Sequence, residues 1–501
     1  MEWCKLIGRK PIYALWLLFP LVNIFIFTGM AVDLVRSFSK LKFVDSALAV
    51  IYAPAAFFKS AFDDKDKYVG QTLKLEKAYN EKIKEAQERG DDYELKKLLA
   101  NNPYRKNQGR EWVESIVFAV FAAAFIRMFL VEAYIIPTPS MEGSLLVGDF
   151  LFVSKAAYGI RTPQTIAMVP LLHNVIPGLK TESYLKKPSL PYYRLPKLGD
   201  VELNDPIVFN WPAGDSVFLT KSRSWSAYQA TLAGNLQNDR ELAAQVRQGK
   251  VRVRPVDKRD HYIKRCVGLP GNTLEIIDRQ VHIDGQAIKN PTEMQFNYRL
   301  NIKKMAQQGI QINFKALERI GVKQDEMGQK RKSIDPEEHL ILTLNNKEAE
   351  QVKELYPLLE PDPATLNPAQ TFPNDPKNFN TWTIDNFGPI DIPQAGESVS
   401  INPTNIALYK RIISAYEGHD LSMKNGQIFI DGEVATTYTF AQDYYWAMGD
   451  NRHNSEDSRF WGFVPFDHMV GKPIFIWMSL NEGSLFKGIR WNRLFNKADK
   501  F

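Results

Sequence analysis

The sequence predicts a mainly antiparallel β domain that follows N-terminal transmembrane helices and is interrupted by an inserted α+β second domain. Long apolar runs are concentrated before Ile135, and short β-rich runs separated by proline and glycine follow it. The stretch 288–435 differs again, because it contains helical segments and a proline-rich connection. The regular strand–helix alternation of a doubly wound fold is missing.

The composition of the chain excludes several classes of protein. The chain has 501 residues, which favours two or more domains, and its 45% hydrophobic and 24% charged residues are typical of a folded protein. The net charge of +6 is small for this length, so we expect no nucleic-acid partner. The chain has two cysteines, Cys4 and Cys266, which excludes a disulfide framework, and it has no His-Glu-x-x-His motif, which disfavours a metal hydrolase.

Residues 1–58 are predicted to be an N-terminal membrane region. The run 12–32 is uncharged and long enough to cross a bilayer core of about 30 Å, and a cleaved signal peptide is the alternative. A second run, 47–58, is too short to span comfortably and contains Pro54. It fits an interfacial helix, a re-entrant helix or a short second span.

A transmembrane helix is predicted at 112–134, and a buried core helix is the alternative. The preceding segment, 59–111, has interleaved charges typical of a solvated helical loop. Its thirteen lysine and arginine residues place it on the cytoplasmic side by the positive-inside rule. Everything after the helix is then outside the membrane, whereas the side of the N-terminus stays open.

The remaining boundaries follow from the β-rich runs. The first part of the β domain is predicted at 135–287, with an insertion at about 213–258, and the second part at 436–480. The inserted second domain lies between them at 288–435, and 481–501 form a C-terminal tail.

A first candidate for catalysis lies just past the predicted transmembrane helix. The segment Pro-Thr-Pro-Ser-Met at 137–141 places Ser140 on a rigid corner, because proline fixes φ and removes a backbone donor. A nucleophilic serine needs a base, and the chain has neither a Gly-x-Ser-x-Gly elbow nor a convincing His–Asp pair.

Lysine is the other candidate base. In the strand-like segment that begins at Asp260, alternation places Tyr262, Lys264 and Cys266 on one face. An aromatic ring and a thiol beside Lys264 favour its desolvation, which lowers a lysine pKa. A polar loop, 448–465, could brace such a site, with Asp450 or Asp457 pairing with Arg459.

These segments together resemble type I signal peptidase, the bacterial membrane-bound Ser/Lys endopeptidase. The matching motifs are Pro-Thr-Pro-Ser-Met, Tyr-Ile-Lys-Arg-Cys-Val-Gly-Leu-Pro-Gly, and Gly-Asp-Asn-Arg-His-Asn-Ser-Glu-Asp-Ser-Arg, in the family's order. A fourth block, 204–212, is similar to another family segment. The sequence departs from the family at Asn204, Asn272 and His453, none of which belongs to the implied dyad.

The resemblance implies roles for particular residues. Ser140 would be the nucleophile and Lys264 the general base. Thr138 would join the Ser140 amide in the oxyanion hole, Ser455 would hydrogen-bond the lysine, and Asp457 with Arg459 would support the site. Substrate would bind along two segments, which consist of Tyr134, Ile135, Ile136 and Pro137, and of Tyr262 and Ile263. A histidine base at His453 is disfavoured, because a histidine in a turn-rich loop is usually solvated.

The implied activity is cleavage of signal peptides from exported preproteins after small-x-small sites, without a metal or cofactor. The implied partners are signal peptides, the lipid bilayer and the secretion translocon. The implied location is the bacterial inner membrane, with the catalytic domain on the periplasmic side. A different Ser/Lys enzyme and a non-catalytic envelope assembly protein are the alternatives. The substitution Ser140→Ala distinguishes an assembly protein from a peptidase, because it should leave an assembly protein functional and inactivate a peptidase.

Overall fold

The computed structural model describes residues 2–18, 22–63, 66–105, 108–165, 167–169, 172–174, 176, 179, 181–212, 214, 216–220, 223–231, 235–322, 331–332, 339–363 and 369–500. It divides into two compact units, residues 1–123 and 124–501.

The first unit is helical. Small side chains at Ala31, Ala49, Ala53 and Ala56 are buried where its short helices pack closely. Two charged, largely exposed helices follow, and Asp91 caps the second by accepting from the Glu94 amide at 2.9 Å. The helices preceding Gln108 are Glu2–Ile7, the 3₁₀ helix Pro11–Leu18, Val22–Arg36, Phe43–Ile51, Ala53–Ala61, Thr72–Glu88 and Asp92–Ala100.

One helix in the described part of the chain is long and apolar enough to cross a membrane. It is Gln108–Phe129, with 22 residues. The run predicted to span at 12–32 overlaps the 3₁₀ helix Pro11–Leu18 and the start of Val22–Arg36, and its residues 19–21 lie outside the described residues. The run at 47–58 is broken at Tyr52, whose backbone is not helical, because the ring of Pro54 disfavours continuation of the preceding helix. A second span is therefore not confirmed.

The predicted antiparallel β architecture is confirmed in the second unit. Its seven-stranded sheet contains Lys264, and Ser140 follows the edge strand of this sheet. Every pair of neighbouring strands is antiparallel. Inward-facing apolar residues alternate with less buried ones in Asp149–Ser154, as expected for a strand with one face on a core. In spatial order the strands are Val131–Ile135, Asp149–Ser154, Met469–Ser479, Pro206–Asn210, His261–Gly268, Tyr444–Met448 and Val464–Pro465.

Smaller sheets share a second core with this one. Val267, Trp446 and Phe463 meet the apolar side chains of a hairpin region and of a helical turn there. The strands are Thr273–Ile277, Gln280–Ile283, Gln286–Ala287 and Phe387–Asp391 in one sheet, Ser398–Ser400 with Thr437–Thr439, and Leu421–Lys424, Gln427–Ile430 and Glu433–Val434; the helical turn is Ile406–Arg411 followed by the π-helix Ile412–Tyr416.

Residues within the predicted insertion 288–435 build a further sheet with its own apolar core. Asn345 opens its longest helix with a capping box, in which Glu348 is the reciprocal partner. The elements are the strands Gln295–Asn301, Arg331–Lys332, His339–Asn345 and Glu360–Pro361 and the helices Ile302–Gln307, Phe314–Ile320 and Asn346–Leu355. The strand Phe387–Asp391, also inside 288–435, pairs instead with Thr273–Ile277.

Two peripheral segments complete the unit. The tail is held by Arg493, which donates to both carboxylate oxygens of the buried Asp149 at 3.2 and 2.7 Å. The tail contains the 3₁₀ turns Asn481–Gly483, Leu485–Lys487 and Trp491–Arg493. The segment predicted as an insertion at about 213–258 contains the strands Ser216–Leu219, Ser224–Ser226 and Arg252–Val253 and the helices Ala227–Thr231, Asn235–Asn238 and Arg240–Arg247.

Candidate active site

Ser140 and Lys264 are in direct contact. Ser140 lies in the 3₁₀ turn Pro139–Met141, just after the edge strand Val131–Ile135, and Lys264 lies in the strand His261–Gly268. The Lys264 ammonium Nζ is 2.7 Å from Ser140 Oγ and also donates to the Ile263 carbonyl at 3.0 Å. The fold thus brings together two residues that are 124 positions apart in the sequence.

Two hydrogen bonds from Asn451 hold the backbone of the turn that carries Ser140. The Asn451 amide donates to the Ser140 carbonyl at 3.1 Å, and its side-chain Nδ2 donates to the Pro139 carbonyl at 3.1 Å. Met141, the last residue of the turn, is fully buried against Leu145 and Ile136. These contacts hold the hydroxyl-bearing residue in one backbone position.

The environment of Lys264 makes the neutral form of the amine easier to reach. The side chain is almost completely buried, and burial lowers the Lys264 pKa from 10.5 to about 8, although Asp457, Glu456 and Asp450 act in the opposite direction. Among the described residues, no carboxylate forms an ion pair with the amine. A buried lysine with a pKa near 8 is a competent general base.

A buried ion pair lies behind this amine. Arg459 donates from Nε and Nη2 to the two carboxylate oxygens of Asp457 at 2.9 and 2.8 Å, and the Gly449 amide donates to the same carboxylate at 3.0 Å. Burial opposes ionisation of Asp457, but Arg459 outweighs it, so the Asp457 pKa is lowered. Of the two pairings open from the sequence, Arg459 therefore takes Asp457.

Asp450 pairs with Arg265, a contact that sequence reasoning missed. Arg265 donates to the two carboxylate oxygens at 2.8 and 2.6 Å, and both side chains are buried. Arg265 also donates to the Asn204 carbonyl at 2.7 Å. The available signal was an arginine alternating with Lys264 on a predicted strand, on the face opposite the lysine.

Gly449 lies in close contact with Ser455 and with the backbone of Ser140. A Cβ added at Gly449 would lie 2.2 Å from Ser455 Oγ and 2.4 Å from the Ser140 carbonyl oxygen. The position needs glycine because of this close approach.

Two residues differ from expectation. Ser455 is buried near the dyad, but its hydroxyl forms no hydrogen bond with Lys264. His453, expected to be solvated, is largely buried: it bonds Asp385 at 2.8 Å and meets the Asn297 amide at 3.2 Å. The expectation was wrong because Asp385, far away in the sequence, supplies a polar partner that permits burial. Burial lowers the His453 pKa despite this bond.

Thr138 lies immediately before the turn. It is exposed, with an extended backbone at φ −130° and ψ 152°. Thr138 is thus a solvent-accessible residue two positions before Ser140.

The two segments predicted to bind substrate lie near one another. Tyr134 and Ile263 pack against the apolar cluster that contains the buried Ile136, whereas Ile135 and Pro137 are exposed. The ring of Tyr262 stacks on Trp211 with centroids 5.6 Å apart, and it lies 5.5 Å from Lys264 Nζ. In the described part of the chain, Val131–Ile135 pairs on one edge only, with Asp149–Ser154.

Metal-ligating residues do not cluster here. Among the described residues, no group of three or more His, Cys, Asp or Glu side chains is arranged to hold a metal ion. Cys266 is a buried free thiol on the strand that carries Lys264, and burial raises its pKa to about 12.

Comparison with known proteins shows which family the sequence of this chain matches. Residues 109–349 and 433–478 match the family described as "Signal peptidase, peptidase S26", and residues 1–71 match a family of unknown function. A signal peptidase I of Buchnera aphidicola subsp. Baizongia pistaciae is 24% identical over 399 residues, which cover 78% of this chain and 85% of that protein.

Two further relatives carry the same name. The signal peptidase I of Haemophilus influenzae is 26% identical over 394 residues, covering 78% of this chain and 76% of that protein. The signal peptidase I of Pseudomonas aeruginosa is 23% identical over 380 residues, covering 74% and 72%. The family match includes the segments of Ser140, Lys264 and Asp457 and extends over more than half of the sequence. The chain therefore belongs to the signal peptidase family, peptidase S26, and is a peptidase.

Proposed function

We propose that this chain cleaves signal peptides from exported preproteins, with Ser140 as the nucleophile and Lys264 as the general base. The observation that carries the proposal is the 2.7 Å contact between a buried amine and a serine hydroxyl. Lys264 in its neutral form accepts the proton of Ser140 as the hydroxyl oxygen attacks the scissile carbonyl. The protonated amine then donates that proton to the departing amino group, and a water molecule hydrolyses the acyl-enzyme by the same route.

Charge that develops on the carbonyl oxygen needs a donor. We assign this role to the Ser140 amide and the Thr138 hydroxyl, because Thr138 is exposed and directly precedes the rigid turn. Asp457 and Arg459 act as positioning residues, because their ion pair holds the Gly449 amide and the loop beneath Ser140.

The substrate would bind as an extended strand. Tyr134, Ile135, Ile136 and Pro137 form one wall of the proposed path, and Tyr262 with Ile263 forms the other. Strand addition uses backbone hydrogen bonds for affinity and lets alternate side chains enter pockets. We expect the pockets that receive these side chains to be shallow, with Ile136 and Ile263 in their walls, and therefore to favour small residues at the first and third positions before the cleaved bond.

The proposed location follows from the apolar helix. Gln108–Phe129 would cross the bacterial inner membrane, with 59–111 in the cytoplasm and the β domain on the periplasmic side. Ser140 would then stand close to the membrane surface, where the cleavage site of a membrane-inserted signal peptide emerges. The lipid bilayer and the secretion translocon are the implied partners.

The test is a cleavage assay with a preprotein that ends its signal peptide in Ala-x-Ala. Ser140→Ala and Lys264→Ala should each lower kcat by at least about 10³, and the double variant should be scarcely slower, because the two groups act as a unit. Lys264→Arg should be equally inactive, because a guanidinium stays protonated. Lys347→Ala, at an exposed helical lysine, is the matched control and should cleave normally. Additive losses would show that Ser140 and Lys264 do not cooperate.

A further inference from the structure

A polar cavity lies within the β-rich unit, apart from the dyad. Its volume is about 80 Å³, several times the 10–15 Å³ that one water needs. Its walls include the last turn of Gln108–Phe129, the first residue of His261–Gly268 and the turn Val256–Lys258.

One carboxylate in this cavity is fully engaged. Glu132 lies on the edge strand and accepts from Arg127 and from Lys155, each at 2.7 Å, and from the Tyr134 hydroxyl at 2.7 Å. The other carboxylate, Asp257, accepts from the backbone amide and the hydroxyl of Thr165 at 3.0 and 2.9 Å. Among the described residues, neither carboxylate forms an ion pair with Lys258 or Arg161.

Two cations in the cavity lack such a partner. Lys258 is 4% exposed, and its amine donates to the thioether of Met168 at 3.0 Å, which is a weak acceptor. Arg161 donates to the Asp467 carbonyl at 2.8 Å and to Asn210 Oδ1 at 2.7 Å, both neutral oxygens. In the described part of the chain, neither cation lies within ion-pair distance of a carboxylate. Burial of an ammonium group without a carboxylate partner is unfavourable, so an anion bound beside Lys258 would stabilise the charged amine.

The two histidines of the cavity add no charge to it near neutral pH. His173 and His261 lie with ring centroids 4.4 Å apart. Burial lowers the pKa of His173 to about 4 and that of His261 well below 6.5, so both are neutral near pH 7. The residues that line the cavity therefore include four basic side chains, Arg127, Lys155, Arg161 and Lys258, and two carboxylates, Glu132 and Asp257. The Asp467 carboxylate lies outside this lining and also acts on Arg161, and burial lowers the pKa of Lys258.

We propose that this cavity binds a phosphate group, with Lys258 and Arg161 supplying its counter-charge. The size suits a small tetrahedral anion, and a guanidinium with an ammonium is a favourable donor set for phosphate oxygens. The group could belong to a lipid headgroup or to a free phosphate. The lipid source rests on the proposed membrane insertion, because Arg127 in the last turn of the apolar helix would then lie at headgroup level.

A phosphate bound in this cavity would contact residues next to the two proposed substrate strands. Glu132 is two residues from Tyr134 on one candidate substrate strand, and His261 is the neighbour of Tyr262 on the other. The rings of Tyr134 and His261 already meet, with centroids 4.9 Å apart. A phosphate held here would therefore tie together the two strands that the proposed function assigns to substrate.

The test measures thermal unfolding of the full chain in detergent micelles, and its readout is independent of cleavage. Inorganic phosphate is titrated against sodium chloride of equal ionic strength, and saturation should raise Tm by at least about 2 °C. In a second arm, phosphatidylglycerol or diacylglycerol, which lacks the phosphate, is added to the micelles. Lys258→Gln should lose the response, Lys258→Arg should keep it, and the exposed Lys347→Gln is the matched control.

The outcomes separate the two sources. A response to inorganic phosphate that Lys258→Gln removes supports the site with a free anion. A response to phosphatidylglycerol alone, again removed by Lys258→Gln, supports it with a lipid headgroup. Phosphate that acts no better than chloride, together with equal effects of the two lipids, would overturn the proposal, as would a response that Lys258→Gln retains. Should Lys258→Gln not fold, Lys258→Met keeps the apolar stem and serves the same comparison.

Discussion

Arg265 and Asp450 form a buried, bidentate ion pair, with the Arg265 Nη2 and Asp450 Oδ2 atoms 2.6 Å apart. Arg265 follows Lys264 in the strand, and Asp450 precedes Asn451, which holds the turn of Ser140. The pair therefore connects the backbone under the proposed base to the backbone under the proposed nucleophile. Its loss should disturb the site without touching a reacting atom.

Asp450→Asn should destabilise the fold and slow cleavage together. Breaking a buried pair by neutralising one partner costs about 3–5 kcal/mol, because the other charge stays buried. The measurement is the free energy of unfolding with denaturant, followed by kcat at a temperature where the variant is folded. The double variant Arg265→Met/Asp450→Leu removes both charges and should recover much of the stability. A double variant as unstable as the sum of its singles would show that the two side chains do not interact.

The rate of cleavage should rise with pH through about 8. Burial lowers the Lys264 pKa to about 8, and only the neutral amine can accept the Ser140 proton. The measurement is kcat/KM against pH for a short Ala-x-Ala peptide. An acidic limb near 6.5 that disappears in His453→Gln would instead assign the base to the imidazole.

The same lysine should weaken the fold at neutral pH. Its folded-state pKa of about 8 lies below the unfolded value of 10.5, so the folded state disfavours the charged amine. Stability is therefore reduced below pH 8 and recovers as pH rises from about 8 towards 10.5. Lys264→Met should gain up to about 3 kcal/mol at pH 7 and little above pH 10.5, as measured by denaturant unfolding at both pH values. An equal gain at both would point to packing rather than charge.

Thr138→Val should lower kcat by about 10²–10³ with little change in KM, because it removes a proposed oxyanion donor and keeps the shape. Steady-state cleavage of the same peptide measures both constants. Thr138→Ser keeps the hydroxyl and should retain most activity. If valine cleaves as fast as threonine, the hydroxyl has no part in the oxyanion hole.

Local sequence patterns predicted the face of the strand that carries Lys264, but not the ion pairs and hydrogen bonds around the site. Strand alternation placed Tyr262 and Lys264 on one face, and the structure has the amine 5.5 Å from that ring. The run 47–58 is short and contains Pro54, and in the structure a helix ends inside it at Ile51. The partner of Arg265 could not be predicted, because Asp450 is 185 residues away and no local periodicity relates them. His453 was placed wrongly for the same reason: its partner Asp385 is 68 residues away.

Gly449→Ala should damage the dyad although it adds one methyl group. The new Cβ would lie 2.2 Å from Ser455 Oγ and 2.4 Å from the Ser140 carbonyl, so the turn of Ser140 must shift. Displacement of a nucleophile by about 1 Å can cost about 10² in rate, so we expect a loss of that size in kcat. Gly199→Ala is the matched control, because no atom lies within 4 Å of its added Cβ and its φ is not in the left-handed region. Normal kcat in Gly449→Ala would mean that the loop yields without moving Ser140.

Glu456→Gln should move the acidic limb of the pH–rate profile to lower pH. The Glu456 carboxylate raises the Lys264 pKa against the effect of burial, so its removal leaves burial less opposed. Arg223, from the peripheral segment around 213–258, lies 2.8 Å from this carboxylate and partly neutralises it. Arg223→Gln should therefore shift the limb in the opposite direction, because an unpaired Glu456 stabilises the charged amine more strongly. The measurement is kcat/KM against pH for both variants, with Lys347→Gln as the control. Shifts of the same sign would show that Glu456 and Arg223 act on the fold of the site rather than on the charge of Lys264.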